Sequence, residues 1–142
     1  MKASARNQFS GTIAAIQAGE INDEVELKLA DGTAVLAMIT HASKVRLGLE
    51  VGKPVIGLVK ASSIVLVDDV AAYAYSARNQ LSGTVSAVEA GAVNTEVEIQ
   101  VSASVSIVAI ITNQSASDMG LAAGSQVTAL FKSSSVILAV AK

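Results

Sequence analysis

Ser4-Ala5-Arg6-Asn7-Gln8-Phe9-Ser10-Gly11-Thr12 returns as Ser76-Ala77-Arg78-Asn79-Gln80-Leu81-Ser82-Gly83-Thr84, 72 residues further along the chain. The correspondence runs without a gap from Ser4–Val67 onto Ser76–Ala139. It holds 28 identical pairs among 64, and many of the others exchange one aliphatic side chain for another. By length alone, 142 residues would make one domain. The repeat instead predicts two units, 1–69 and 74–142, each near the lower limit for a self-sufficient core.

Within the first copy, Phe9–Ile16 alternates and is rich in β-compatible residues. Ile21–Leu29 is stricter: Ile21, Asp23, Val25, Leu27 and Leu29 alternate with Asn22, Glu24, Glu26 and Lys28. Apart from Asp23 the first set is apolar, as in a strand with one buried face. Asp31-Gly32 is a hairpin-turn signal, and Thr33–Thr40 reads as a third strand. Thr40–Gly48 then reads as one or two helical turns, with a hydroxyl residue at the start and Gly48 as the stop. Val55–Lys60 and Ile64–Val67 supply the last two strands.

The order β-β-β-α-β-β is that of the small five-stranded OB-type barrel. Copy two keeps it, with Ala103-Ser104 in place of the Asp-Gly turn. The expected fold is all-β: two tandem OB-like five-stranded barrels, each with a short helix between strands 3 and 4.

Composition narrows the function. Apolar residues make up 51% of the chain, yet only Phe9, Phe131, Tyr73 and Tyr75 are aromatic, so small aliphatics fill both cores. That much apolar surface in small units predicts a homo-oligomer. A net charge of −2 and few aromatics argue against the alternative reading, an OB-type nucleic-acid-binding module, which needs a basic groove and stacking rings. There is no cysteine, and the one histidine, His41, has Asn113 as its counterpart, so most hydrolytic and redox chemistry lacks its players. An enzyme is not expected. Met1–Asn7 has no apolar signal region, and runs such as Val105–Ile111 are too short to span a bilayer. A cytoplasmic protein with no membrane association is expected.

The two copies also select residues. Lys28, Lys44, Arg46 and Lys53 stand opposite Gln100, Ala116, Asp118 and Ser125, whereas Arg6 and Lys60 recur as Arg78 and Lys132. Small hydroxyl residues recur with them: Ser4 and Ser76, Thr40 and Thr112, Ser43 and Ser115, and the runs Lys60-Ala61-Ser62-Ser63 and Lys132-Ser133-Ser134-Ser135. A tetrahedral dianion leaving water needs its charge offset and its oxygens hydrogen-bonded. One Arg and one Lys balance the charge, while hydroxyls and backbone N–H groups add neutral donors. Taken one copy at a time, the same residues read more readily as strand-end decoration and serine-rich turns; recurrence of the whole set in both copies brings the two readings level. Gly19 and Gly91 read as turn glycines with positive φ.

Ser-Ala-Arg-Asn near the start of each copy, with Lys-Ala/Ser-Ser some 50 residues later, resembles the molbindin, or Mop, family of molybdate-binding domains, in its tandem di-Mop form. The resemblance implies cytoplasmic binding and storage of molybdate, and of tungstate, with no cofactor and no reaction. It implies a homotrimer whose sites are shared between subunits. It places one oxyanion site type on Ser4, Arg6, Thr40, Ser43, Lys60 and Ala61, and on Ser76, Arg78, Thr112, Ser115, Lys132 and Ser133. A second site type, near a threefold axis, would use Gly19, Ile21 and Asn22, or Gly91, Ala92, Val93 and Asn94. Glu20 departs from the small residue expected there and sets a carboxylate beside the copy-one version.

Overall fold

The computed structural model describes residues 1–142. Five strands and a short helix follow one another in each copy. Copy one has β1 (Asn7–Gln17), β2 (Asn22–Leu29), β3 (Ala34–Thr40), α1 (His41–Leu47), β4 (Pro54–Val59) and β5 (Val65–Val67). Copy two has β6 (Asn79–Ala90), β7 (Asn94–Gln100), β8 (Ser106–Thr112), α2 (Asn113–Asp118), β9 (Gln126–Phe131) and β10 (Ile137–Ala139). One-turn 3-10 helices, Ala61–Ser63 and Ser133–Ser135, precede β5 and β10. The expected element order is therefore the observed one. No helix is long and apolar enough to cross a membrane.

The repeat and the compact units part company at the last strand. One sheet has the order β10-β4-β1-β2-β3 and the other β5-β9-β6-β7-β8. By contact, unit 1 is thus Met1–Val59 with Lys132–Lys142, and unit 2 is Lys60–Phe131. The cause lies in the repeat itself. Leu66 and Leu138 occupy matching positions, and each turns a buried leucine inward from a three-residue strand. Either short strand therefore offers the same buried leucine in the same pattern of burial.

Within each unit the ends of the sheet order approach each other. In unit 1, β10 and the turn Ser133–Ser135 lie against β3; in unit 2, β5 and Ala61–Ser63 lie against β8. This closure gives the small barrel. A bulge lets the long first strand of each barrel bend: the β1–β2 register shifts between Ile13 and Ala15, and the β6–β7 register between Val85 and Ala87.

The alternation read in the sequence fills the interior. Val25, Leu27, Val35 and Ala37 are fully buried in unit 1, as are Val97, Ile99, Ile107 and Ala109 in unit 2. The large ring changes strand between copies. Phe9 and Val59 in one correspond to Leu81 and Phe131 in the other, all four buried, so volume is redistributed within one frame.

Two hairpins solve one turn differently. Asp31 accepts hydrogen bonds from the Thr33 backbone N–H and hydroxyl, both at 2.8 Å, with Gly32 at φ 89°. In copy two the Ser102 hydroxyl accepts from the backbone N–H of Val105 at 3.2 Å, and no positive φ is used there.

Candidate functional site

Each barrel carries its selected residues at two places. The first is the open end of a ladder. Asn7 pairs with Val59 at the last step of β1–β4, so Arg6 directly precedes that pair and Lys60 directly follows it. Asn79 pairs with Phe131 in the same way, with Arg78 before and Lys132 after. Asn7 and Asn79 are buried, whereas Arg6, Lys60, Arg78 and Lys132 are exposed, as are Ser4 and Ser76. Ladder register alone thus explains why an Arg and a Lys that lie far apart in sequence recur together. Lys53, which copy two lacks, acts elsewhere, its ammonium donating to the Leu47 and Gly48 carbonyls at 3.0 and 3.3 Å and closing the end of α1.

The second place is a corner where strand runs into helix. Thr40 caps α1: its hydroxyl oxygen accepts from the Ser43 N–H at 3.1 Å and its proton goes to the Ser43 hydroxyl at 2.9 Å. Thr112 repeats this with Ser115 at 3.1 and 2.8 Å. In each pair the threonine proton is committed inward, which leaves the serine O–H to donate outward. Asn22 pairs with Thr40 across β2–β3, and Asn94 with Thr112 across β7–β8.

In unit 2 a cleft of about 380 Å³ brings Asn94, Thr112 and Ser115 together with Ser62. The same cleft is floored by Ile64, Leu66 and Ile110, and no charged side chain lines it. Lys60 and Ala61 lead directly into Ser62, with Ala61 buried. Ser62 belongs to the recurring run Lys60–Ser63, with Ser134 at the repeat offset, although the family resemblance placed no site residue on it. In unit 1 the matching turn, Ser133–Ser135, lies against β3, which ends at Thr40.

The ladder end and the corner of one barrel do not meet. In unit 2, Arg78 stands before the first residue of β6, while Thr112 lies level with Asn94, near its last. Twelve residues of strand, rising about 3.3 Å each, separate the two levels. Unit 1 has the same arrangement of Arg6 and Thr40 along β1.

Gly19 and Gly91 need correction. Neither has positive φ; close approach requires glycine at position 19 and leaves little room at position 91. A Cβ on Gly19 would stand 2.3 Å from the Asn22 carbonyl oxygen, and one on Gly91 3.0 Å from that of Asn94. Ile21 and Val93 project outward, 76% and 71% exposed, while their carbonyls accept from the backbone N–H groups of His41 and Asn113 at 2.8 and 3.0 Å.

Behind each corner lies a polar pair that comparison of the two copies passes over. Asp23 is 0% exposed. One carboxylate oxygen accepts from the Gly19 N–H at 3.0 Å, and the other meets His41 Nδ1 at 2.9 Å. These bonds, led by the one from Gly19, hold the Asp23 carboxyl below its ordinary range. Burial opposes them, and the charges of His41 and Lys44 help. In unit 2 the positions are Thr95 and Asn113: the buried Thr95 hydroxyl donates to Asn113 Oδ1 at 2.6 Å, and Asn113 Nδ2 donates to the Gly91 carbonyl at 3.0 Å. The signal is a joint change at both positions, Asp with His and Thr with Asn. It escapes notice when His41 is weighed alone.

Comparison with known proteins adds to this geometry. Residues 3–66 and 75–138 each match the TOBE domain. Over 140 residues the chain is 41% identical to the molybdenum transport protein ModE of Herbaspirillum seropedicae, covering 99% of this chain and 52% of that protein. Over the same length it is 43% identical to the molybdenum-pterin-binding protein MopA of Rhodobacter capsulatus, covering 99% and 53%. The chain therefore spans about half the length of these relatives. A crystal structure of the cytoplasmic molybdate-binding protein ModG, with molybdate bound, superimposes with a TM-score of 0.95 at 40% identity, covering 99% of this chain and all of that one.

Proposed function

The chain belongs to the TOBE-domain family, carrying two copies in the Mop arrangement, and on that premise we propose that it binds and stores molybdate, and tungstate with it. The observation that carries the reading is the unit 2 cleft, where Ser62, Asn94, Thr112 and Ser115 converge without a carboxylate and Lys60 stands two residues from Ser62. Neutral donors satisfy the oxygens of a tetrahedral dianion and a cation offsets its charge, so desolvation is compensated with no bond made or broken. The similarity to ModG over the whole of both chains supports the same reading.

One barrel does not supply a full set of groups, because its own Arg and its Thr–Ser corner lie at opposite ends of its first strand. A complete site combines groups from more than one barrel. We therefore assign the protein as a homotrimer with sites shared between subunits: Ser4, Arg6, Lys60 and Ala61, or Ser76, Arg78, Lys132 and Ser133, meet Thr40 with Ser43 or Thr112 with Ser115. The exposed Ile21 and Val93 beside the corners fit burial by a neighbouring subunit. Gly19, Ile21 and Asn22, and Gly91, Ala92, Val93 and Asn94, form the second site type at that contact. The compartment is the cytoplasm.

Equilibrium dialysis against sodium molybdate, with retained molybdenum quantified by mass spectrometry, tests the binding. Light scattering on the same sample tests the trimer. Retention of several ions per trimer is expected; no retention above buffer contradicts the function, and a monomer contradicts the shared sites.

A further inference from the structure

The donors of the two corners match position for position: Asn22, Thr40 and Ser43 in unit 1, Asn94, Thr112 and Ser115 in unit 2. What lies between them does not match. Asp23 directly follows Asn22, and His41 directly follows Thr40, where unit 2 has Thr95 and Asn113. Both pairs do the same structural work, tying the glycine turn to the start of the helix. Only one of them carries formal charge.

We infer that the Asp23–His41 pair is a specificity-determining element that makes the unit 1 corner a weaker oxyanion site than the unit 2 corner, so that one chain holds two classes of affinity. This rests on the oxyanion-binding reading above and concerns which half of the chain the ion prefers.

The charged or titratable groups on the turn and helix of the unit 1 corner are Glu20, Asp23, His41, Lys44 and Arg46; unit 2 has Ala92, Thr95, Asn113, Ala116 and Asp118 there, and of all the charged ones only Asp23 is buried. The exposed charges act through solvent and are screened, so the buried carboxylate is the difference between the corners that acts at short range. Asp23 has no exposed surface, so solvent and salt screen its carboxylate little, and its bonds from Gly19 and His41 keep it ionised. A dianion bound by Asn22, Thr40 and Ser43 would lie one residue from that carboxylate. At an effective dielectric near 20, a buried charge at such range changes the affinity for an anion by about tenfold or more.

Exchange of the pairs tests this in the full chain, by isothermal titration with sodium molybdate at neutral pH. Wild type is expected to show two classes of site separated by at least about tenfold. Asp23→Thr with His41→Asn should merge them at the tighter value, and Thr95→Asp with Asn113→His should merge them at the weaker one. Asp23→Asn alone removes the charge yet keeps an oxygen for Gly19 and an amide for His41, so it should tighten the weak class even if the double exchange fails to fold. Binding by wild type in a single class, or two classes unmoved by Asp23→Asn in a protein with a normal ligand-free melt, overturns the inference and leaves molybdate binding standing. No binding by wild type overturns both.

Discussion

The corner of unit 1 and the corner of unit 2 are built on one frame with different chemistry inside it. Each has a glycine turn, a strand ending in threonine, and a serine whose N–H that threonine caps. Unit 1 fastens the frame with a buried carboxylate against an imidazole, and unit 2 with a hydroxyl against an amide. The difference shows what duplication left free to change. The groups proposed to face an ion are held constant, while the fastening behind them can alter its charge if both partners change together. An identity-based comparison of the copies finds the former and overlooks the latter.

The largest effects should come from the ladder ends, where the units do not differ. Arg78→Ala and Lys132→Ala each remove a charged donor, worth about 1.5–3 kcal/mol, which is about ten- to a hundredfold in molybdate affinity. Arg6→Ala and Lys60→Ala should match them. Titration of all four variants checks this, and normal binding by any of them would remove that residue from the site.

The glycine turns should separate the units. Gly19→Ala drives a Cβ to 2.3 Å from a backbone carbonyl, against 3.0 Å for Gly91→Ala. Overpacking of this kind should destabilise Gly19→Ala by about 1–3 kcal/mol, whereas a shift of a few tenths of an ångström accommodates Gly91→Ala, which should lose less than about 1 kcal/mol. Urea denaturation of each variant measures it; equal losses would mean that the two turns are not distinct. Thr40→Val and Thr112→Val should each lose a cap worth about 1 kcal/mol, equally in both units, by the same assay.

The smallest effect concerns acid, because burial of Asp23 opposes the hydrogen bonds that stabilise its charged form. Its folded pKa lies below the unfolded value of about 3.9. Its contribution is therefore fully present above that value and is lost as pH falls through the folded one. Circular dichroism during acid titration should show wild type losing more stability below about pH 4 than the Asp23→Thr, His41→Asn variant. Coincident curves would show that the pair adds nothing.

Much of this was legible in the residues. Alternation along Ile21–Leu29 identified a half-buried strand and placed Asp23 on its inner face, where it is found. Thr40 and Gly48 bounded the helix: Thr40 caps it, and Gly48 ends it at φ 62°. Recurrence of Arg6 and Lys60 marked two positions that ladder register then set side by side. The exchange of β5 and β10 was not legible, because both short strands present one buried leucine in the same pattern. The glycine assignment missed because a requirement for close approach leaves the same residue in the sequence as a requirement for positive φ. The Asp23–His41 pair went unseen because each of its members acquires meaning only beside the other.

Thermal unfolding with added oxyanions bears on the binding of the ion itself. Molybdate at a hundredfold excess over its dissociation constant should stabilise the native protein by about 2.7 kcal/mol and raise the melting temperature, with sulfate at the same concentration shifting it far less. An unchanged melting temperature with molybdate, or an equal shift with sulfate, would contradict selective molybdate binding.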